Sequence, residues 1–347
     1  MSKINLENPV IPLDSLILVT GINGYVASHV ADQFMFAGYR VRGTVRDLSK
    51  ATWISELFTS RHGPGRVELV AVPDITAPGA WDNAIRGVAG VASVASPVEL
   101  QITDANAAMA KDKAAQFSLL AAAQAEGVKS FAYTSSFWAA HTPHAGVPIT
   151  IPLDSWNDEA IKLALDPNVP QEMKGFAPYM AGKTMVEKEI WAWVEREKPS
   201  FIFNAILPGT ALGPILADDH QSGSTAGLLR GIWKNDPVYR QIVGYIEPQW
   251  VVDVRDNARV NVAAMTTAGV SGERICALGD KYSWPRVMEI IKEKFPERLD
   301  LEYLPAKGWD ESVVPNKRAL ELLRLTGQDS WNPLEQIVKD TVDSFSK

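Results

Sequence analysis

Leu16-Ile17-Leu18-Val19 runs directly into Thr20-Gly21-Ile22-Asn23-Gly24-Tyr25-Val26-Ala27, and the reading of this stretch decides the fold. The first four residues form a short apolar strand pattern between Asp14-Ser15 and Gly21. A helical pattern follows to Ala37 and stops at Gly38, a favoured residue just past a helix end. Gly21 permits the tight turn, Gly24 lets backbone approach a pyrophosphate, and Ala27 is small enough for the helix to sit against the strand. The helix N-terminus then turns its N–H groups and positive dipole end toward phosphate. A pair of glycines is weak evidence alone; between a strand and a helix it reads as a dinucleotide-binding turn. The bland alternative is a glycine turn used only for packing.

Working outward, strand-like and helix-like segments alternate. Strand patterns cover 40–45, 67–72, 88–94, 129–134 and 201–207, and helix patterns cover 49–61, 105–125 and 180–197. Such alternation predicts an α/β fold with a doubly wound parallel (Rossmann) sheet covered on both faces. At 347 residues the chain suits about two domains, at roughly 150 residues each. We expect a dinucleotide-binding domain over 1–207 and a smaller C-terminal α/β substrate region over 208–347. A strand near 250–254 is expected to return to the sheet, so that 250–268 belongs partly to the first domain. Residues 139–178, rich in proline, form an excursion of a length usually reserved for functional loops.

The second strand bears on cofactor choice. It ends Val45-Arg46-Asp47, and Lys50 lies one helical turn on. Arg46 and Lys50 can converge on one dianionic phosphate, the guanidinium bidentately and the ammonium as a point charge. This favours NADPH; Asp47, which can serve an unphosphorylated ribose, argues for NAD, and a solvated surface pair is the bland reading of Arg46 and Lys50. Asp74 and Ile75 follow the third strand, where a loop can reach adenine, and Ala95-Ser96-Pro97 ends the fourth, beside the expected nicotinamide ribose.

Tyr179 and Lys183 stand four apart at a helix start and so share a face. A phenol titrating near 10 is a poor acid–base group at neutral pH, and a neighbouring ammonium stabilises its phenolate. Tyr179 can then protonate a carbonyl oxygen as hydride reaches the carbon. Thr134-Ser135-Ser136 ends the fifth strand, at the carboxyl edge where α/β sheets bind ligands, so a serine there can hold the same oxygen. Tyr303 and Lys307 share the spacing but are interrupted by Pro305 and follow no sheet element, so they are set aside.

The net charge of −7 argues against nucleic acid as the main partner. The single cysteine, Cys276, excludes an intramolecular disulfide framework and a multi-Cys zinc site, and reads as a core thiol. The first apolar run is too short to span a bilayer, no targeting segment is visible, and a cytoplasmic protein is expected, away from membranes. Gly182-Lys183-Thr184 mimics the end of a P-loop, but Ala177 occupies the required glycine position. His141 and His144 lack a partner that would make a metal site, and no metal is expected.

TGINGYVASH (20–29), VRGTVRDLSK (41–50), DIT (74–76), ASPV (95–98), YTSS (133–136), YMAGK (179–183), LPGTALGP (207–214), SGSTAG (222–227) and VDVRD (252–256) together resemble the extended short-chain dehydrogenase/reductase family over most of the chain. The likeness is to its NADPH-dependent branch of yeast-type methylglyoxal reductases, fungal aldehyde reductases and dihydroflavonol reductases. The resemblance implies a Ser136–Tyr179–Lys183 triad. It also implies NADP(H) contacts from Gly21, Ile22, Asn23, Gly24, Tyr25, Val26, Arg46, Lys50, Asp74, Ile75, Pro208, Gly209 and Ser224, to which position adds Ala95. Gln116 stands where relatives often carry Asn, and Ser93 where many carry His. The expected activity is reduction of a small-molecule ketone or aldehyde by a monomer or homodimer. The alternatives are an NAD-dependent sugar-nucleotide epimerase or dehydratase and a non-catalytic NADPH-sensing regulator. Phe137, Trp138, Thr210 and Trp233 are expected to line an apolar substrate pocket, with His141 at its rim; for Trp233 a core position is the competing reading.

Overall fold

The computed structural model describes residue 4 and residues 6–96, 105–298, 300–302 and 304–346. The strands are β1 (Leu16–Val19), β2 (Arg40–Val45), β3 (Val67–Ala71), β4 (Gly90–Ser93), β5 (Ser130–Thr134), β6 (Ile202–Pro208), β7 (Thr210–Leu212), β8 (Gln249–Asp253), β9 (Glu273–Ala277) and β10 (Asp280–Tyr282). The helices are α1 (Tyr25–Phe36), α2 (Thr52–His62), α3 (Ala105–Glu126), α4 (Asp158–Leu165), α5 (Ala177–Glu197), α6 (Ser224–Trp233), α7 (Pro237–Gly244), α8 (Val254–Thr266), α9 (Trp284–Lys294), α10 (Lys317–Leu325) and α11 (Leu334–Asp343).

Seven strands form one parallel sheet in the order β3-β2-β1-β4-β5-β6-β9. Its central strands are buried along their whole length, as a sheet covered on both faces requires. Alternation along β1 divides the core: Ile17 and Val19 join the cluster containing Val30, Phe34 and Val262, while Leu16 and Leu18 join the one containing Leu119, Phe131 and Ile190. Helices α1 and α8 therefore pack together on one face, and α3 and α5 on the other. Strand order reverses between β1 and β4, and the crevice at that reversal is where such sheets bind ligands.

The segment near 250–254 corrects one expectation. It is β8, and it lies outside the main sheet, parallel to β7 and antiparallel to β10 in a small three-stranded sheet. The return to the main sheet is made by β9, beside β6. The reason is local. β6 continues past Gly209 as β7, beyond the carboxyl edge of the main sheet, and offers residues 249–253 a free ladder there. Gly209 is held tightly at the crossing: a Cβ there would stand 2.6 Å from the Trp250 carbonyl oxygen. The helix expected over 49–61 is likewise split, because the Asp47 carboxylate caps Ser49 and tightens Leu48–Lys50 into a 3-10 turn before α2.

Candidate active site

The glycine turn is fixed by its own backbone and by Thr20 and Thr44. Gly21 has a φ of +65°, in the left-handed region, and a Cβ there would meet the Ala95 Cβ at 3.0 Å. Its N–H donates to Thr44 Oγ1 at 2.9 Å. Thr20 Oγ1 accepts from Val94 and Ala95 N–H at 2.9 and 2.8 Å, tying the turn to the end of β4. Gly24 is the N-cap of α1 and offers no capping side chain, so the leading N–H groups of the helix have no side-chain acceptor of their own. That geometry fits a pyrophosphate. Gln221 braces the turn from outside, its amide nitrogen lying 3.2 and 3.3 Å from the carbonyls of Asn23 and Gly24.

Ile22 is buried against β2, and Val26 faces the cavity described below. The Tyr25 side chain turns away into the core, donating to the Gly213 carbonyl at 2.9 Å, and burial holds its phenol well above the usual range. Only its backbone is left for a ligand. Arg46, just past β2, and Lys50, at the end of the 3-10 turn, are exposed, Lys50 lying 3.9 Å from Asp47. Asp47 is engaged by the backbone and hydroxyl of Ser49 at 2.9 and 2.6 Å, which hold its carboxyl below the ordinary range. Asp74 makes the same kind of turn with Thr76 and is exposed, and Ile75 packs beside it on the second core cluster. Pro97 lies outside the described residues.

A cavity of about 290 Å³ opens at the carboxyl edge of the main sheet. Ser136, Tyr179 and Lys183 all line it. Lys183 is buried, donates to the Thr134 carbonyl at 3.4 Å and stands 5.6 Å from the Tyr133 ring centroid. Ser136 Oγ accepts from the Trp138 N–H at 3.2 Å and caps a 3-10 turn over Phe137–Ala139. That turn carries the Trp138 ring edge-on to Tyr179, with centroids 5.9 Å apart. Asn157 secures it, donating to the Trp138 carbonyl at 2.8 Å while capping α4. A phenol, an ammonium and a hydroxyl on one wall can hold a carbonyl oxygen and supply it with a proton.

Phe137, Trp138, Pro208, Gly209, Thr210 and Ser224 line the same cavity. Trp233 does not: its ring meets Phe295 and Phe345, with the Arg298 guanidinium 4.2 Å from its centroid. Against the pocket expectation, Trp233 is a packing residue. His141 is also absent from the lining; it faces His144, and burial lowers its pKa. The resemblance left out Phe176, Gln249, Tyr282, Ile242 and Ile246, all of which line the cavity. Phe176 was within reach of the sequence, since it precedes Tyr179 by three, a spacing that shares a helix face. Gln249 carried no such signal. Gln116 is buried beneath β4, accepting from Ser93 Oγ at 2.7 Å and donating to the Ala95 carbonyl at 3.2 Å. Of the rejected pair, Lys307 binds Glu247 at 2.9 Å, and Tyr303 lies outside the described residues.

Among the described residues no helix is long and apolar enough to cross a membrane, and no group of three or more His, Cys, Asp or Glu side chains is placed to hold a metal.

The sequence pattern of the NAD dependent epimerase/dehydratase family matches residues 17–277. The NAD-dependent epimerase/dehydratase terH of Aspergillus terreus is 33% identical over 339 residues, covering 98% of this chain and 99% of that protein. The ketoreductase adrE of Penicillium rubens is 35% identical over 338 residues, covering 95% and 96%. The solved structure of Gre2 from Candida albicans in complex with NADPH superposes with a TM-score of 0.79 at 23% identity, covering 96% of this chain and 99% of that one.

Proposed function

This chain belongs to the NAD dependent epimerase/dehydratase family, and from that premise we propose that it is an NADPH-dependent carbonyl reductase acting on neutral, largely apolar ketones or aldehydes. The observation that carries the reading is the cavity itself. Ser136, Tyr179 and Lys183 stand on its wall, and Lys183 is the only charged side chain among the described residues lining it. A sugar nucleotide would bring a diphosphate into a space with one ammonium and walls of Trp138, Phe176, Leu228, Ile246 and Trp250. Such walls suit an apolar substrate and leave a second phosphate pair without partners.

In this reading the backbone of Gly21–Val26 and the N-terminus of α1 hold the pyrophosphate, with Pro208, Gly209 and Ser224 across the crevice. Asp74, Ile75 and Ala95 flank the adenosine and nicotinamide ends. Arg46 and Lys50 receive the 2′-phosphate; Asp47, occupied with capping Ser49, is drawn away from a ribose hydroxyl. NADPH, once bound, supplies the hydride. Lys183 brings its ammonium to the same wall, Ser136 holds the carbonyl oxygen, and Tyr179 Oη gives that oxygen its proton. Phe137, Trp138 and Thr210 shape the pocket. We further propose two functional regions, 1–207 for the cofactor and 208–347 for the substrate, in a cytoplasmic monomer or homodimer.

The test is an NADPH-oxidation screen over aldehydes, α-ketoesters, diketones and aromatic ketones, with the alcohol identified by mass spectrometry. Reduction of one class with NADPH preferred over NADH supports the reading. NAD retained through purification, with no carbonyl reduced, would replace it by the epimerase or dehydratase alternative.

A further inference from the structure

Ser135, next to Ser136 at the end of β5, turns its hydroxyl onto Glu187 Oε2 at 2.5 Å. Glu187 is fully buried on α5, one turn beyond Lys183. Its other oxygen accepts from Arg274 Nε at 2.7 Å and from Trp191 Nε1 at 3.2 Å. Arg274 rises from β9, almost as buried, and Nη1 donates to the carbonyls of Leu153 and Ser155 at 2.7 and 2.8 Å. Its guanidinium lies 3.9 Å from the Trp156 ring centroid. One buried ion pair therefore joins the strand that carries Ser136, the helix that carries Tyr179 and Lys183, and the stretch of the excursion just before Asn157, the residue that fixes Trp138.

A buried pair of this kind is a weak source of net stability, because desolvating two charges offsets most of their attraction. What it imposes is direction, since guanidinium and carboxylate bond only along fixed axes. We infer that Glu187 and Arg274 are positioning residues for carbonyl reduction. Through Ser135 the pair sets the register of Ser136 against Tyr179, and through Leu153 and Ser155 it holds the substrate-side excursion to the same frame. The inference rests on the reductase reading above. Misplacement by about 1 Å can cost on the order of 10²-fold in rate, so the device needs to touch no reacting atom.

The test uses the whole enzyme and a substrate found in the screen. Ser135→Ala removes one hydroxyl and leaves the ion pair; Glu187→Gln keeps the shape and removes the charge; Arg274→Met keeps the stem against Trp156. Ser135→Ala and Glu187→Gln are each expected to lower kcat about tenfold or more, with KM for NADPH within twofold of wild type. Their double variant should be no slower than Glu187→Gln alone, because both changes act through the same network of Ser135, Glu187 and Arg274. Arg274→Met should in addition raise KM for the carbonyl substrate. A purely structural pair would lower the melting temperature and leave kcat per folded molecule and this non-additivity unmoved. Should the charge variants fail to fold, Ser135→Ala decides alone. Wild-type kcat in Ser135→Ala while Tyr179→Phe is inactive overturns this inference and leaves the reductase reading standing. Wild-type turnover in Tyr179→Phe overturns the reading beneath it.

Discussion

The indole N–H of Trp138 donates to Gln249 Oε1 at 2.7 Å, joining the segment that leaves β5 to the first residue of β8. Two walls of the cavity are thereby locked to each other. Gln249→Leu would remove that part-buried hydrogen bond, worth about 0.5–1.5 kcal/mol net, and release the Trp138 ring from β8. The expected result is a changed ranking of ketones by bulk, with KM for NADPH unaltered. Parallel kinetics on a size series of aryl ketones checks it.

Tyr179→Phe removes one hydroxyl and keeps the ring against Trp138. NADPH should bind as before while turnover falls by about 10²-fold or more, the usual scale for a general acid. Fluorescence titration with NADPH and single-turnover kinetics separate the two effects.

Arg46→Ala should raise KM for NADPH by roughly 10- to 150-fold, since a hydrogen bond to a charged group contributes about 1.5–3 kcal/mol. KM for NADH should hardly move. Equal changes for both cofactors would shift the assignment to Asp47 and NAD.

Trp233→Ala should act on stability alone. A buried tryptophan trimmed to alanine costs about 3–5 kcal/mol, and the partial exposure of this ring places it at the lower end. Its melting temperature should fall while the substrate ranking stays that of wild type. A reordered ranking would return Trp233 to the pocket.

His29 sets an acid limit. It is fully buried, donates to the Pro214 carbonyl at 2.8 Å, and burial lowers its pKa to about 4. The unfolded chain, with a histidine near 6.5, binds the proton more readily than the native state. Stability is therefore complete above about pH 6.5 and is lost as pH falls toward 4, by on the order of 3 kcal/mol. His29→Gln should flatten that part of a melting-temperature profile against pH.

Much of this was legible in the residues because it is local. The β1–turn–α1 unit announces itself through period, glycine placement and length, and Tyr179 and Lys183 through helical spacing. What escaped was tertiary. Residues 250–254 read as a strand, within one residue of β8, but which ladder it joins depends on β7 lying past the sheet edge. Trp233 was placed at the pocket because it lies on the helix after Ser224, expected to close over the cofactor, and Leu228 on that helix does line the cavity. At about 100° per residue, Trp233 is turned roughly 140° around the axis from Leu228 and faces Phe295 and Phe345 instead. Gln249 looks like any polar strand residue until Trp138 is seen across the cavity. Glu187 sits on the same face as Lys183, yet its partner on β9 lies far along the chain.

The passage of β6 into β7 through one crowded glycine bears on modularity. No linker separates the cofactor-holding sheet from the small sheet; a single residue does, and a Cβ there would meet the Trp250 carbonyl. The two sheets therefore form one rigid jaw, without the few freely rotating residues that a hinge needs. Grafting residues 208–347 from another enzyme would sever the β6–β9 ladder rather than a tether. A transplant of substrate preference is better made in the 139–178 excursion, which follows Trp138, carries Phe176, and joins the frame at the buried Ala139 and Pro178.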